Sequence, residues 1–180
     1  MENPFKTAKV GDYVNFGNYP QTVDGQEQPI DWQVLAIENN KILVISKYGL
    51  EAKRFDRRSN NWKKSEICQW ANNDFYNRAF TEQEKKYIQP FNGDKVFFLS
   101  KEEAEKYFAN DEARQSKATE YSKANGAWLG DNGCSYWWLR SPDPNSINCL
   151  YGIGNLGNLY DYYGVYGAKT VARPALWINI

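Results

Sequence analysis

The sequence predicts a mixed α+β fold. Three observations carry this: alternating apolar runs open the chain, short capped helical segments fill its middle, and apolar runs close it. No linker or charge block divides the chain and no solenoid repeat is visible, so one domain is expected over residues 1–180. A chain of 180 residues is long enough to bury roughly 70% of its unfolded surface. Seven Trp, nine Phe and thirteen Tyr give it large side chains to bury.

Residues 12–16 alternate as a short strand. Residues 32–37 and 41–47 read as two strands joined at Asn39-Asn40, a pair that tolerates positive φ and suits a tight hairpin. Beyond Asn61 the period changes. Ser65 can cap a helix whose apolar face is Ile67, Trp70 and Ala71. Thr81-Glu82-Gln83-Glu84 is a capping box opening a short helix that stops before Pro90. Residues 95–99 (KVFFL) read as a strand. Ser100-Lys101-Glu102-Glu103 is a second capping box, with Ala104, Tyr107 and Phe108 at helical spacing behind it. Residues 119–125 form one more short helix, ended by Gly126. After Gly126 helix signals disappear. Residues 137–140 and 171–179 read as core strands, with weaker β-hairpins between them.

Composition excludes several functions. Lys plus Arg and Asp plus Glu each number 22, and the pI is about 6.4, so the clustered positive charge of a nucleic-acid partner is missing. The small basic run Lys53, Arg54, Arg57 and Arg58, followed by Lys63-Lys64, reads as a solvated loop. Histidine is absent, which removes His-based dyads and triads, His metal sites and a neutral-pH histidine switch. Cys68, Cys134 and Cys149 are sparse and odd in number, so free thiols are expected, and their spacing fits no zinc pattern. Asp131-Asn132 and Asp143-Pro144-Asn145 offer oxygens but no dense carboxylate cluster for calcium. No cofactor or metal is expected. The N-terminus lacks a charged-then-apolar signal layout and no run approaches a membrane span. A chain cytoplasmic as synthesised is expected, without membrane insertion; phage or surface display, or origin as a module of a longer secreted protein, are the alternatives.

Residues 143–167 (DPNSINCLYGIGNLGNLYDYYGVYG) stand apart. They contain no Lys, Arg, Glu, Gln, Trp or Met. Tyr with Asn, Ser and Gly is the composition of a recognition surface, where stiff amphipathic rings are joined by adaptable hydrogen-bonding groups. The stretch is framed by Tyr136-Trp137-Trp138-Leu139-Arg140-Ser141-Pro142 and Val171-Ala172-Arg173-Pro174-Ala175-Leu176-Trp177-Ile178, which suggests a binding site on a rigid scaffold. The candidate contacts are Asn145, Ser146, Asn148, Tyr151, Asn155, Tyr160, Asp161, Tyr162, Tyr163 and Tyr166. About half of the tyrosines are expected to pack into a ribbon face, and Asn155 sits beside the turn-like Leu156-Gly157. Trp137, Trp138 and Trp177 in mid-strand are expected in the core rather than as stacking platforms for sugar. Arg140 and Arg173 each closely precede a proline and are expected in structural pairs, the fork meeting a carboxylate, Asp31 or Asp131, or backbone carbonyls, with anion binding as the alternative.

The blocks WWLRSP and ARPALW resemble those of bacterial domains of unknown function that carry WWLRSP, a variable Asn/Tyr/Gly-rich stretch, and a terminal VRPAL. Asp31-Trp32-Gln33-Val34-Leu35, Ser46-Lys47, Trp70 with Phe75-Tyr76, and Val96-Phe97-Phe98-Leu99-Ser100 with Glu103-Ala104 extend the resemblance over nearly the whole chain. It departs from that pattern at Val171-Ala172-Arg173, where Gly-Val-Arg is usual, and at Asp143-Pro144, where a Gly is common. The resemblance implies a C-type-lectin-like fold of the formylglycine-generating-enzyme subtype, with a mixed or antiparallel sheet, short helices and an irregular C-terminal β-ribbon region. It also implies kinship with the variable proteins of diversity-generating retroelements. There, adenine randomisation at AAY codons yields residues that exclude Lys, Glu, Gln, Trp and Met, the types missing from 143–167. The function expected is non-catalytic recognition of a protein or glycan. The alternatives are a copper oxidase using Cys134 and Cys149, and an interaction module for a protein of the same operon.

Overall fold

The computed structural model describes residues 3–180, apart from the side chains of Asp161 and Tyr162. Among the described residues ten strands form two five-stranded sheets. The first has the order β1 (Tyr13–Pro20), β2 (Glu27–Glu38), β3 (Lys41–Ser46), β10 (Ala175–Asn179), β5 (Ile88–Gln89). The second has the order β4 (Glu51–Ala52), β9 (Val171–Ala172), β6 (Trp137–Pro142), β7 (Cys149–Ile153), β8 (Leu159–Gly164). All pairings are antiparallel except that of β6 with β9, which meet at Trp137 and Val171. The chain passes from the second sheet to the first at Arg173-Pro174. Proline there has no N–H to leave unpaired and cannot continue a ladder.

Local chemistry fixes much of this. Asn39 and Asn40 take φ of 48° and 60°, the left-handed pair that joins β2 to β3 as expected. Six short α-helices lie between or beside the sheets: α1 (Glu66–Trp70), α2 (Tyr76–Ala79), α3 (Glu82–Lys85), α4 (Lys101–Tyr107), α5 (Asp111–Arg114) and α6 (Glu120–Ala124). Ser65 caps α1, and Thr81 and Ser100 form full capping boxes with Glu84 and Glu103. Thr119 caps α6, and Gly126 follows it with φ of 97°. α5, capped by Asn110, has no apolar period in the sequence and was not expected.

Between α1 and α2 the backbone widens into one π turn, Ala71–Phe75. The Asn72 amide explains where it goes. Its Oδ1 accepts from the N–H groups of Lys95 and Val96, and its Nδ2 donates to the carbonyls of Cys68 and Val96. Residues 95–99 therefore differ from expectation. Residues 96–99 are buried and Lys95 is exposed, but a side chain accepts from the first two amides, and only Phe97 bridges a strand residue, Ala175. The ladder partner of β10 is instead β5, because α3 ends at Lys85 and the chain straightens at Ile88-Gln89.

The core contains Trp32, Trp137 and Trp138, all fully buried, and each indole N–H has a carbonyl partner: Phe16, Arg114 and Lys53 respectively. Trp177 departs from the expected core position. On β10, Leu176 and Ile178 point inward, so the period of two turns Trp177 to the outer face, where it is half-buried beside Gln89 and Phe91.

The two arginines separate. Arg140 makes a two-pronged pair with Glu103, at 2.5 and 2.7 Å, and also donates to the Phe98 carbonyl. Its carboxylate is thus neither Asp31 nor Asp131. Asp31 pairs with Lys47 instead, and Arg173 has no carboxylate partner among the described residues.

Candidate functional site

The hairpin of β7 and β8 fills most of 143–167. Its turn is tucked against α5. Gly157 has φ of 84°, and a Cβ there would stand 1.7 Å from the Asp111 carbonyl oxygen, so only glycine fits. Arg114 donates to the Gly157 carbonyl and Gln115 to that of Leu156. Asn155 and Asn132 exchange amide hydrogen bonds that tie the turn to loop 130–133.

The other end of the segment is held from a distance. Asn60 Nδ2 lies 2.7 to 3.2 Å from the carbonyls of Asp143, Ser146 and Cys149, and the Asn60 N–H donates to that of Ile147. The buried Asp143 carboxylate accepts from the Asn145 N–H, an Asx turn. Asn145 and Asn148 are exposed on this clamped loop and Ser146 is half-buried.

β8 is an edge strand, and its Tyr160 and Tyr163 join an aromatic row that crosses the second sheet. Trp128 stacks on Tyr136 with centroids 4.5 Å apart and planes at 12°. Tyr136 meets Tyr163 at 5.4 Å, and Tyr163 meets Tyr160 at 5.9 Å. Beneath, Tyr163 rests edge-on against buried Trp138 at 6.1 Å. The ends of the row are open: Trp128 is 39% and Tyr160 48% exposed. Burial, reinforced by the Tyr136 and Tyr160 phenols, raises the Tyr163 phenol far above its usual range, so it remains neutral.

Gly152 on β7 and Gly154 just after it make room for these rings. A Cβ on Gly152 would stand 2.4 Å from the Tyr163 ring and 3.1 Å from the Trp137 carbonyl oxygen; one on Gly154 would stand 2.8 Å from the Tyr160 ring. The absence of side chains at residues 152 and 154 lets the Tyr163 and Tyr160 rings, set at 84° to each other, pack close against this strand and its end. Gly152→Ala should therefore displace Tyr163 and destabilise the domain by about 1–3 kcal/mol. A melting temperature and near-UV circular dichroism equal to wild type would show that the rings are not seated this way.

Of the ten candidate residues, Tyr160 and Tyr163 come together in the row. Asn145, Ser146 and Asn148 lie on the Asn60-clamped loop, and Asn155 is committed to the turn. Tyr151 is half-buried under Lys101, whose ammonium is 4.7 Å from the ring centroid. Tyr166 is 68% exposed, with its ring beside Gly164. Asp161 and Tyr162 lie outside the described side chains. Sequence reasoning missed Trp128 and Tyr136. The signal was present: Trp128 is an aromatic residue set among Gly126, Gly130, Asp131, Asn132 and Gly133, where no apolar period draws it into a core.

Most of the basic run meets acids: Arg54 and Arg57 pair with Glu66, Lys53 with Glu51 and Lys63 with Asp94. A cavity of 480 Å³ beside this run is lined by the same paired groups with Trp70, Asn73 and Asp74. Trp62 is buried and donates to Asp94. The three cysteines are free and buried. Cys134 bridges Lys117 and Cys149 pairs with Gly164, so they sit in different surroundings. Among the described residues no three His, Cys, Asp or Glu side chains gather as metal ligands, and no helix is long and apolar enough to cross a membrane.

A family model described as a domain of unknown function (DUF6273) matches residues 39–180, from the β2–β3 turn to the C-terminus. The chain belongs to the DUF6273 family. The region shared with DUF6273 includes the whole aromatic row, both capping boxes and Arg173. No curated protein and no solved structure matches the chain.

Proposed function

We propose that this DUF6273 domain is a non-catalytic recognition module that binds a protein through the face formed by Trp128, Tyr136, Tyr163 and Tyr160. The observation that carries the reading is the row itself: stiff aromatic surface, open at both ends, seated on glycines and backed by a buried tryptophan. Large amphipathic rings lose little conformational entropy on binding and supply much contact area. The neighbouring edge strand β8 offers backbone groups to an extended peptide, which favours a protein over a glycan. Asn145, Ser146 and Asn148 would supply polar contacts from the clamped loop. The proposal includes a C-type-lectin-like assignment for the two-sheet fold and a retroelement origin for the composition of 143–167.

A phage-displayed random peptide library and a glycan array, each probed with wild type and with a Trp128→Ser, Tyr160→Ser double variant, test the binding face. Both positions are substantially exposed, so the variant should melt near the wild-type temperature. Peptides selected on wild type should lose most of their affinity for it. Peptides that bind both proteins equally would place recognition elsewhere, and glycan hits lost in the variant would replace the protein ligand with a sugar. Sequencing the flanking DNA tests the origin: a near-copy of the 3′ coding end differing at adenines, beside a reverse transcriptase gene, is the expected finding.

A further inference from the structure

Arg173 is the one buried arginine that has no carboxylate partner among the described residues. It is 2% exposed, at the crossover between the sheets. Its Nε donates to the Ser46 carbonyl at 2.8 Å. Nη1 is buried and meets no hydrogen-bond partner. The rings of Trp137 and Phe108 lie against the guanidinium, with centroids 4.8 and 5.5 Å away. Cation–π contact offsets part of the lost hydration, but it supplies neither a counter-charge nor an acceptor for Nη1. Desolvation pushes the guanidinium down to about 9, which still leaves it a cation at neutral pH. A buried cation of this kind is costly unless an anion joins it.

Arg173 also lines a cavity of 440 Å³, a volume suited to a small molecule. Lys47 and Lys117 stand on the same wall, against one carboxylate, Glu112. Lys47 is shared with Asp31 at 3.5 Å, while Lys117 is exposed and forms no ion pair among the described residues. Tyr13 and Tyr48 also line it, and the Lys47 ammonium lies 4.9 and 5.1 Å from their ring centroids. Cationic and aromatic groups thus line one open-sided cleft, with the Arg173 guanidinium, its Nη1 unpartnered, at the edge.

We infer that this cavity is a binding site for a small aromatic carboxylate, with Arg173 as the buried counter-charge and Lys117 as the outer one. The carboxylate would meet the guanidinium, and its ring would lie among Tyr13 and Tyr48. The site is separate from the aromatic row, but α5 links them: Gln115 lines the cavity while its amide holds the β7–β8 turn at Leu156. The inference does not depend on the recognition reading.

The test uses the full chain with benzoate as the probe, and acetate, phosphate and chloride at matched ionic strength as comparisons. Ligand that binds only the folded state raises the melting temperature in a saturable way. Benzoate should raise it by several degrees, acetate by less, and phosphate and chloride not at all. Calorimetric titration of Lys117→Gln should show benzoate affinity several-fold weaker with an unchanged melt in the absence of ligand. Arg173→Lys, which keeps the charge should Arg173→Met fail to fold, should lose most of the affinity because the fork is gone. A benzoate shift no greater than that of chloride, or one unchanged in Lys117→Gln and Arg173→Lys, would overturn the site. An equal response to phosphate would overturn the carboxylate assignment.

Discussion

Removing residues 171–180 should leave a chain that does not melt cooperatively. The segment supplies one strand to each sheet. β9 lies between β4 and β6, and β10 lies between β3 and β5, so neither is an edge that could be lost cheaply. Val171, Leu176 and Ile178 are fully buried. At roughly 1.5–3 kcal/mol for each buried side chain, these three alone contribute about 5–9 kcal/mol, against a total stability of about 5–15 kcal/mol for a domain. The loss goes further. β3 and β5 would lose their hydrogen-bonded neighbour, and Phe97 its bridge to Ala175. Thermal melts followed by far- and near-UV circular dichroism measure this. A native-like sigmoidal transition in the truncated chain would show that the first 170 residues carry their own core.

The sequence made legible those features whose chemistry is local. Asn39-Asn40, Ser65, Thr81 with Glu84, Ser100 with Glu103, and Thr119 with Gly126 each satisfy their own backbone within a few residues, and each appears as expected. What failed depended on distant partners. Residues 95–99 have strand composition, yet Asn72, more than twenty positions earlier, takes their amides. Nothing near Arg140 names Glu103, and nothing near Arg173 reveals that its fork stays unmatched. The binding segment was legible in the same partial way. Composition pointed to 143–167, and Tyr160 and Tyr163 do join an open aromatic row. The other half of that row, Trp128 and Tyr136, comes from outside the window, because sheet order sets β6 beside β7 and brings loop 126–133 alongside. Trp177 shows the limit of reading apolar runs: in β10 the alternation of two decides its exposure, and the aromatic content of the block does not.

Trp138→Ala should lower stability by about 3–5 kcal/mol, while Trp128→Ala should cost far less. Both are tryptophans in contact with the tyrosine row, so the contrast isolates burial. Trp138 is fully buried, its ring lies 5.9 Å from that of Phe55, and its indole N–H is the partner of the Lys53 carbonyl at 2.7 Å. Truncation leaves a cavity where the indole stood and removes that carbonyl's donor, two penalties that add. For a domain of this size 1 kcal/mol moves the melting temperature by about 2–4 °C, so a fall of roughly 6–20 °C is expected. Trp128 is 39% exposed and loses mainly its stack on Tyr136. The two variants should also differ in what they do to the face. Without Trp138 the floor under Tyr163 is gone, so the row loosens and peptide binding weakens along with the fold. Without Trp128 the row loses one end and binding weakens in a domain that remains intact. Equal melting temperatures for the two variants would mean that Trp138 is not the support of the sheet. A Trp128→Ala protein that melts normally and binds selected peptides as wild type does would remove Trp128 from the recognition face.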